Sequence, residues 1–341
     1  MSKVRVCFLG TPEFAAVSLK EILNDEHFEV VGVVTQPDRP AGRKLILTPS
    51  PVKELALQYG LKVLSPESLK DNVIICDAIK SWGAEVAVVV AFGQILTQEF
   101  MDSFTFGAVN IHGSLLPRWR GAAPIQRAIQ YGDRETGVAL QRMVKKLDAG
   151  DVLGVRKMEI PIDMTAMELH DKLAFLGADL LRVELMDFLR GHLVGVKQDE
   201  ALVTVAKKID KLESEVKWSL KAIEIHNQIR ALTMGPGSFT WLEGKKIKIH
   251  RTRLATTFQG DTNWNIKTQA DLNNYLLDYQ RRKKSEVSEA GKIISITEEA
   301  LTVKCGDGNL EILELQPESR NRMKIKDFLS GSSLKVGDRF L

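Results

Sequence analysis

Between Val4 and about Gly191, short apolar runs alternate with segments in which apolar residues return every third or fourth position. The runs predict strands over Val4–Leu9, Val30–Thr35, Ala84–Ala91, Ala108–His112 and Thr136–Val144. The longer periodic segments predict helices over Phe14–Asn24, Val52–Tyr59, Pro124–Tyr131 and Glu168–Leu189. Val86-Ala87-Val88-Val89-Val90-Ala91 has no polar face, which suits a parallel strand covered on both sides. On the last helix Leu169, Leu173, Leu176, Leu180 and Leu181 form one stripe. Alternating strands and helices predict an α/β domain with a doubly wound parallel sheet, whose ligand lies beyond the strand C-termini.

The texture then changes. Ala201–Val216 is polar and mixed, as a linker would be, and Leu220–Leu232 reads as a helix stopped by Gly235-Pro236-Gly237. Short strand-like runs follow at Phe239–Leu242, Lys245–Arg253, Lys292–Thr297, Leu301–Cys305 and Glu311–Leu315, which predict a small β-barrel. Thr257–Ala290 interrupts them with polar sequence, including a candidate exposed helix over Leu272–Lys284 that ends in the basic cluster Arg281-Arg282-Lys283-Lys284. The expected organisation is a first domain over residues 1–190, a linker over 191–207 and a second domain over 208–341.

Composition narrows the classes. The 341 residues have room for two cores, and 44% hydrophobic with 27% charged residues is ordinary for a globular protein. No apolar run reaches the roughly 20 residues that span a bilayer. The N-terminus enters a strand with no signal-like segment, so a cytoplasmic location is expected. Cys7, Cys76 and Cys305 lie far apart without CxxC or Cys/His spacing, which predicts inert packing residues and neither metal nor disulfide. The net charge of +3 is uneven: residues 1–200 carry 23 Lys+Arg against 26 Asp+Glu (−3), and 201–341 carry 24 against 18 (+6). The second half is therefore the expected contact for a polyanion.

The chemistry gathers around Asn110-Ile111-His112-Gly113-Ser114-Leu115-Leu116-Pro117. Side chains alternate along a strand, so Asn110 and His112 share a face at its end. The loop beyond, kept out of helix before Pro117, can offer backbone groups to a flat polar ligand. Asp148, past the strand Thr136–Val144, reads either as a turn former before Gly150 or as a carboxylate that reaches His112 and orients its imidazole. Arg118-Trp119-Arg120 suits phosphate contact and stacking, or equally the anchoring of its own loop. The long segment Thr35–Lys44 reads as an irregular loop with Arg39, Arg43 and Lys44 as a basic finger. Gly10-Thr11-Pro12-Glu13 lacks the G-x-G-x-x-G spacing of a pyrophosphate site and reads as a strand-to-helix turn.

Four segments together resemble the methionyl-tRNA formyltransferases of the folate-dependent formyltransferase superfamily. They are Gly10–Ala15, Thr35–Arg43, Asn110–Gln126 and Leu147-Asp148-Ala149-Gly150-Asp151, and the resemblance extends over nearly the whole chain. It implies a Rossmann-like catalytic domain, a C-terminal oligonucleotide-fold-like (OB-fold-like) barrel that binds tRNA, and a monomer. It implies formyl transfer from 10-formyltetrahydrofolate to the methionyl amine of initiator tRNA, with Asn110, His112 and Asp148 as the catalytic trio. By the same resemblance Ser114, Leu115, Leu116 and Pro117 border the folate, and Arg39, Arg43 and Lys44 belong to a loop that meets the tRNA acceptor end. The chain departs from the family at Lys44-Leu45-Ile46-Leu47, at Lys145-Lys146 and at Ala149, and Thr257–Ala290 resembles an insertion. Two rival readings stand beside this one: a formyltransferase for a small amine, and a non-catalytic RNA-binding relative.

Overall fold

Seven strands are laid side by side in a computed structural model that describes residues 3–41, 45–70, 72–255, 264, 266–284 and 287–341. They are β1 (Val4–Gly10), β2 (Phe28–Val34), β3 (Val63–Leu64), β4 (Val86–Val90), β5 (Ala108–His112), β6 (Glu135–Arg142) and β7 (Val152–Glu159), in the order β7-β6-β5-β4-β1-β2-β3. From β5 to β3 every pairing is parallel, whereas β6 runs antiparallel to β5. The strand expected over Thr136–Val144 therefore breaks the all-parallel pattern. The longer helices among the first 190 residues are α1 (Glu13–Asn24), α2 (Pro51–Gln58), α3 (Val73–Lys80), α4 (Pro124–Gln130) and α5 (Ala166–Leu189).

Burial follows the sequence pattern. All five residues of β4 are buried, and Leu169, Leu173, Leu180 and Leu181 of α5 are fully covered, with Leu176 only half-buried. Gly177 lets α5 press onto β5, since a Cβ there would lie 2.9 Å from Ile111 Cγ2. Ile111 points away from Asn110 and His112, so the helix backs the strand on the face opposite them.

Three elements differ from the sequence expectation or were not assigned by it. Val73-Ile74-Ile75 is rich in β-branched residues yet opens α3, where the Asn72 side chain caps Ile75 N–H at 3.3 Å. Val152–Glu159, for which the sequence offered no assignment, pairs at the sheet edge with Leu153 its one buried residue. Arg39–Ala41 pairs antiparallel with Ile46–Thr48, so part of the presumed irregular loop is a short ribbon.

The chain divides into two compact units: residues 1–120, 137–158 and 170–200, and residues 121–136, 159–169 and 201–341. The second contains an antiparallel sheet of β8 (Ser238–Leu242), β9 (Lys245–Leu254), β10 (Ile293–Ile296), β11 (Leu301–Lys304), β12 (Asn309–Pro317) and β13 (Met323–Lys324). Its order is β8-β9-β12-β11-β10, with β13 on β12. Helix α6 (Ala222–Ala231) belongs to this unit and is buried along its whole length. The polar segment holds α7 (Gln269–Lys284), whose Tyr275 and Arg282 bond the buried Glu224 of α6 at 2.9 and 2.5 Å. Within the basic cluster, Arg282 is thereby a structural cation. Among the described residues no helix is long and apolar enough to cross a membrane.

Candidate active site

Strand β5 delivers Asn110 and His112 to one face at its C-terminal end, Asn110 half-buried and His112 6% exposed. Among the described residues no protein group hydrogen-bonds the Asn110 amide, so its donors and acceptor remain open to a ligand. The imidazole is fixed more tightly. Its Nε2 lies 2.9 Å from the carbonyl oxygen of Trp119. A carbonyl can only accept, so Nε2 carries a proton and donates, and Nδ1 becomes the nitrogen that gains or loses one.

Asp148 sits opposite that nitrogen, with Oδ2 3.7 Å from Nδ1 and the two side chains 12% and 7% exposed. The separation is an ion-pair distance and longer than a hydrogen bond. Asp148 lies in a loop closed by Arg142 N–H donating to Asp151 O at 2.9 Å. Gly150 is required there, because a Cβ would lie 1.8 Å from the Arg142 carbonyl oxygen. Asp148 has φ of +49°, the left-handed region that side chains other than glycine, asparagine and aspartate avoid. The sequence suggested either a turn residue or a partner of His112; the geometry makes it both.

Groups absent from the sequence reading complete the corner. Gln141, paired across the strands with Asn110, is 2% exposed and donates to Asp148 Oδ1 at 3.1 Å. Gln198 donates to the Asp148 and Gly150 carbonyls at 2.8 and 2.7 Å, and accepts from Arg120 Nε at 3.0 Å. Arg120 also bonds Glu200 at 3.0 Å, and hydrogen bonds from Lys146 and Arg120 hold the Glu200 carboxyl below its usual pKa. Gln141 carried one signal, a polar residue directly after the apolar run Gly137–Leu140; Gln198 carried none. Trp119 is 1% exposed and Arg120 4%, so these two anchor the loop, while Arg118 stacks 4.5 Å above the Trp119 ring.

The other expected site residues are placed as follows. Ser114 is buried, its hydroxyl donating to Arg118 O at 2.5 Å, and Leu115, Leu116 and Pro117 are half-buried with a cis bond between the last two. Arg39 lies in the ribbon and pairs with Glu67 at 3.1 Å, both side chains exposed. Arg43 and Lys44 lie outside the described residues. Among the described residues no three His, Cys, Asp or Glu side chains are grouped to hold a metal ion.

The end of β5 and the loop after β6 thus bring an amide, an imidazole and a carboxylate together. The chain belongs to the formyl transferase family, matching its Formyl transferase description over residues 3–184 and its C-terminal domain over residues 208–333. It is 60% identical to the methionyl-tRNA formyltransferase of Bdellovibrio bacteriovorus over 99% of both chains. It is 40% identical to that of Neisseria gonorrhoeae over 98% of this chain and 99% of the relative. Among solved structures, the fold is shared with a sugar 3N-formyl transferase, WlaRD, at a TM-score of 0.64 and 18% identity over 94% of this chain and all of that one. An N-formyltransferase from Helicobacter canadensis gives 0.61 and 19%, covering 91% and 98%.

Proposed function

We propose that this chain transfers the formyl group of 10-formyltetrahydrofolate to the amino group of methionyl initiator tRNA, as a cytoplasmic monomer. The observation that carries this reading is the end-to-end 60% identity to a methionyl-tRNA formyltransferase. The site has chemistry suited to it. When an amine attacks a formyl carbon, negative charge grows on the carbonyl oxygen and must meet positioned donors. The Asn110 amide supplies one, and His112 supplies a second through Nδ1–H once that nitrogen has taken the amine's proton. A proton must leave the attacking amine and reach the departing nitrogen, and His112 Nδ1 is the one ring position able to take and return it. Asp148 beside that atom stabilises the imidazolium while it lasts. The half-buried Leu115–Pro117, which closely follow His112 in the chain, are the residues assigned to the flat face of the folate substrate.

On the RNA side, Arg39, Arg43, Lys44 and the cations of residues 208–341 meet the phosphates, so affinity for tRNA should fall with rising salt. The test is incubation with 10-formyltetrahydrofolate and methionyl initiator tRNA, followed by hydrolysis and analysis for formylmethionine. Parallel reactions use an amino-sugar nucleotide and glycinamide ribonucleotide as acceptors. Formylation of either small amine, with unmodified methionyl-tRNA, would overturn the reading.

A further inference from the structure

We propose that Gln198 and Gln141 are positioning residues that act on His112 through Asp148. The proposal rests on the assignment of Asp148 to the formyl-transfer site. Gln198 fixes the backbone: one amide nitrogen clasps the carbonyls of Asp148 at 2.8 Å and Gly150 at 2.7 Å, spanning the turn in which Asp148 holds its left-handed φ. The sense of that amide is itself determined. Its oxygen takes the Arg120 Nε proton at 3.0 Å, and turning the group over would set oxygen against two carbonyls and nitrogen against a guanidinium. Arg120, 4% exposed, is steadied by Glu200 at 3.0 Å, which also holds Lys146 Nζ of the Asp148 loop at 2.7 Å.

Gln141 fixes the carboxylate. Its donation to Oδ1 at 3.1 Å leaves Oδ2 as the oxygen 3.7 Å from His112 Nδ1. Gln198 Nε2 also lies 3.5 Å from Gln141 Oε1, so the two glutamines are held in one network. Neither touches the reacting atoms; both set where a charged oxygen stands relative to the nitrogen that moves a proton. Sub-ångström placement of this kind changes turnover without changing substrate binding.

The experiment is a double-mutant cycle on the full-length enzyme with methionyl initiator tRNA and 10-formyltetrahydrofolate. Gln198→Leu and Gln141→Leu should each lower kcat by about 10–100-fold with KM for both substrates changed less than about twofold. Combined with Asp148→Asn, each should add less than about twofold, because the effect runs through Asp148. Arg120→Lys keeps a cation for Glu200 but loses the Nε donor, and should lower kcat in the same KM-neutral way. It serves as the test should Gln198→Leu not fold. Parental kcat in these folded variants, or full additivity with Asp148→Asn, overturns the proposal. If Asp148→Asn alone keeps parental kcat, it is the catalytic assignment that fails.

Discussion

The chain buries two histidines to a similar depth, His112 at the end of β5 (6% exposed) and His226 on α6 (1%). Each gives its Nε2 proton to a backbone carbonyl, Trp119 at 2.9 Å and Ile162 at 2.8 Å. The other nitrogen separates them. His226 Nδ1 accepts from the Thr252 hydroxyl at 2.9 Å and is saturated, whereas among the described residues His112 Nδ1 faces only a carboxylate at 3.7 Å. The same contrast holds for the neighbours. Glu224 and Arg230 on α6 are closed off by Arg282, Tyr275, Asn227 and the Met164 carbonyl, while the Asn110 amide beside His112 is left open. Burial of polar groups therefore does not mark a site. What distinguishes the His112 corner is an imidazole held at Nε2 whose Nδ1 faces a carboxylate at 3.7 Å.

The comparison breaks first on turnover. His112→Ala should cost roughly 10²–10⁴ in kcat and Asn110→Ala about 10²–10³, with unfolding midpoints near the parent. A folded His112→Ala enzyme formylating at the parental rate would erase the distinction from His226. Glu224→Ala should do the reverse, costing about 1–3 kcal/mol of stability in a denaturant titration, because it removes the acceptor of the Tyr275 hydroxyl and one of the two carboxylates that hold Arg282, Asp278 being the other.

His226 sharpens the contrast through pH. Burial first, and then the Arg230 charge, push its pKa from 6.5 down to about 4. The unfolded chain takes up a proton near 6.5 while the folded chain resists until about 4. Between those values the unfolded state binds more protons, so this contribution is complete above 6.5, declines as pH falls and levels off below about 4. The decline is at most about 1.4 kcal/mol per pH unit. His226→Gln should remove that slope, and equilibrium unfolding between pH 7 and pH 4 measures it. Smallest of all, Arg39→Ala breaks an exposed pair with Glu67 and should shift stability by less than about 1 kcal/mol.

Much of this was legible along the chain, for physical reasons. β4 and β5 are apolar enough to admit only a buried strand, and the period of two puts Asn110 and His112 together without any long-range information. Asp148 before Ala149-Gly150 already signalled an unusual backbone. What escaped depended on contacts remote in sequence or on local capping. Gln198 lies 50 residues from the carbonyl it holds, and glutamine has no spacing that announces such a role. Val73-Ile74-Ile75 carried β-branched residues into a helix because the Asn72 cap outweighed propensity. The edge strand Val152–Glu159 buries too little to leave an alternating stripe.

The bond from His112 Nε2 to the Trp119 carbonyl has a consequence for traffic. An imidazole with both nitrogens accessible can act as a relay, receiving a proton on one edge and releasing it from the other toward solvent. Here one edge is shut, so the ring is a cul-de-sac: whatever proton enters at Nδ1 must leave by the same door. For His112 to move the proton as proposed, the amine that gives it up and the nitrogen that receives it must stand on the Asp148 side of the ring, directly or through one shared water. No proton wire can run through His112 into the protein beyond.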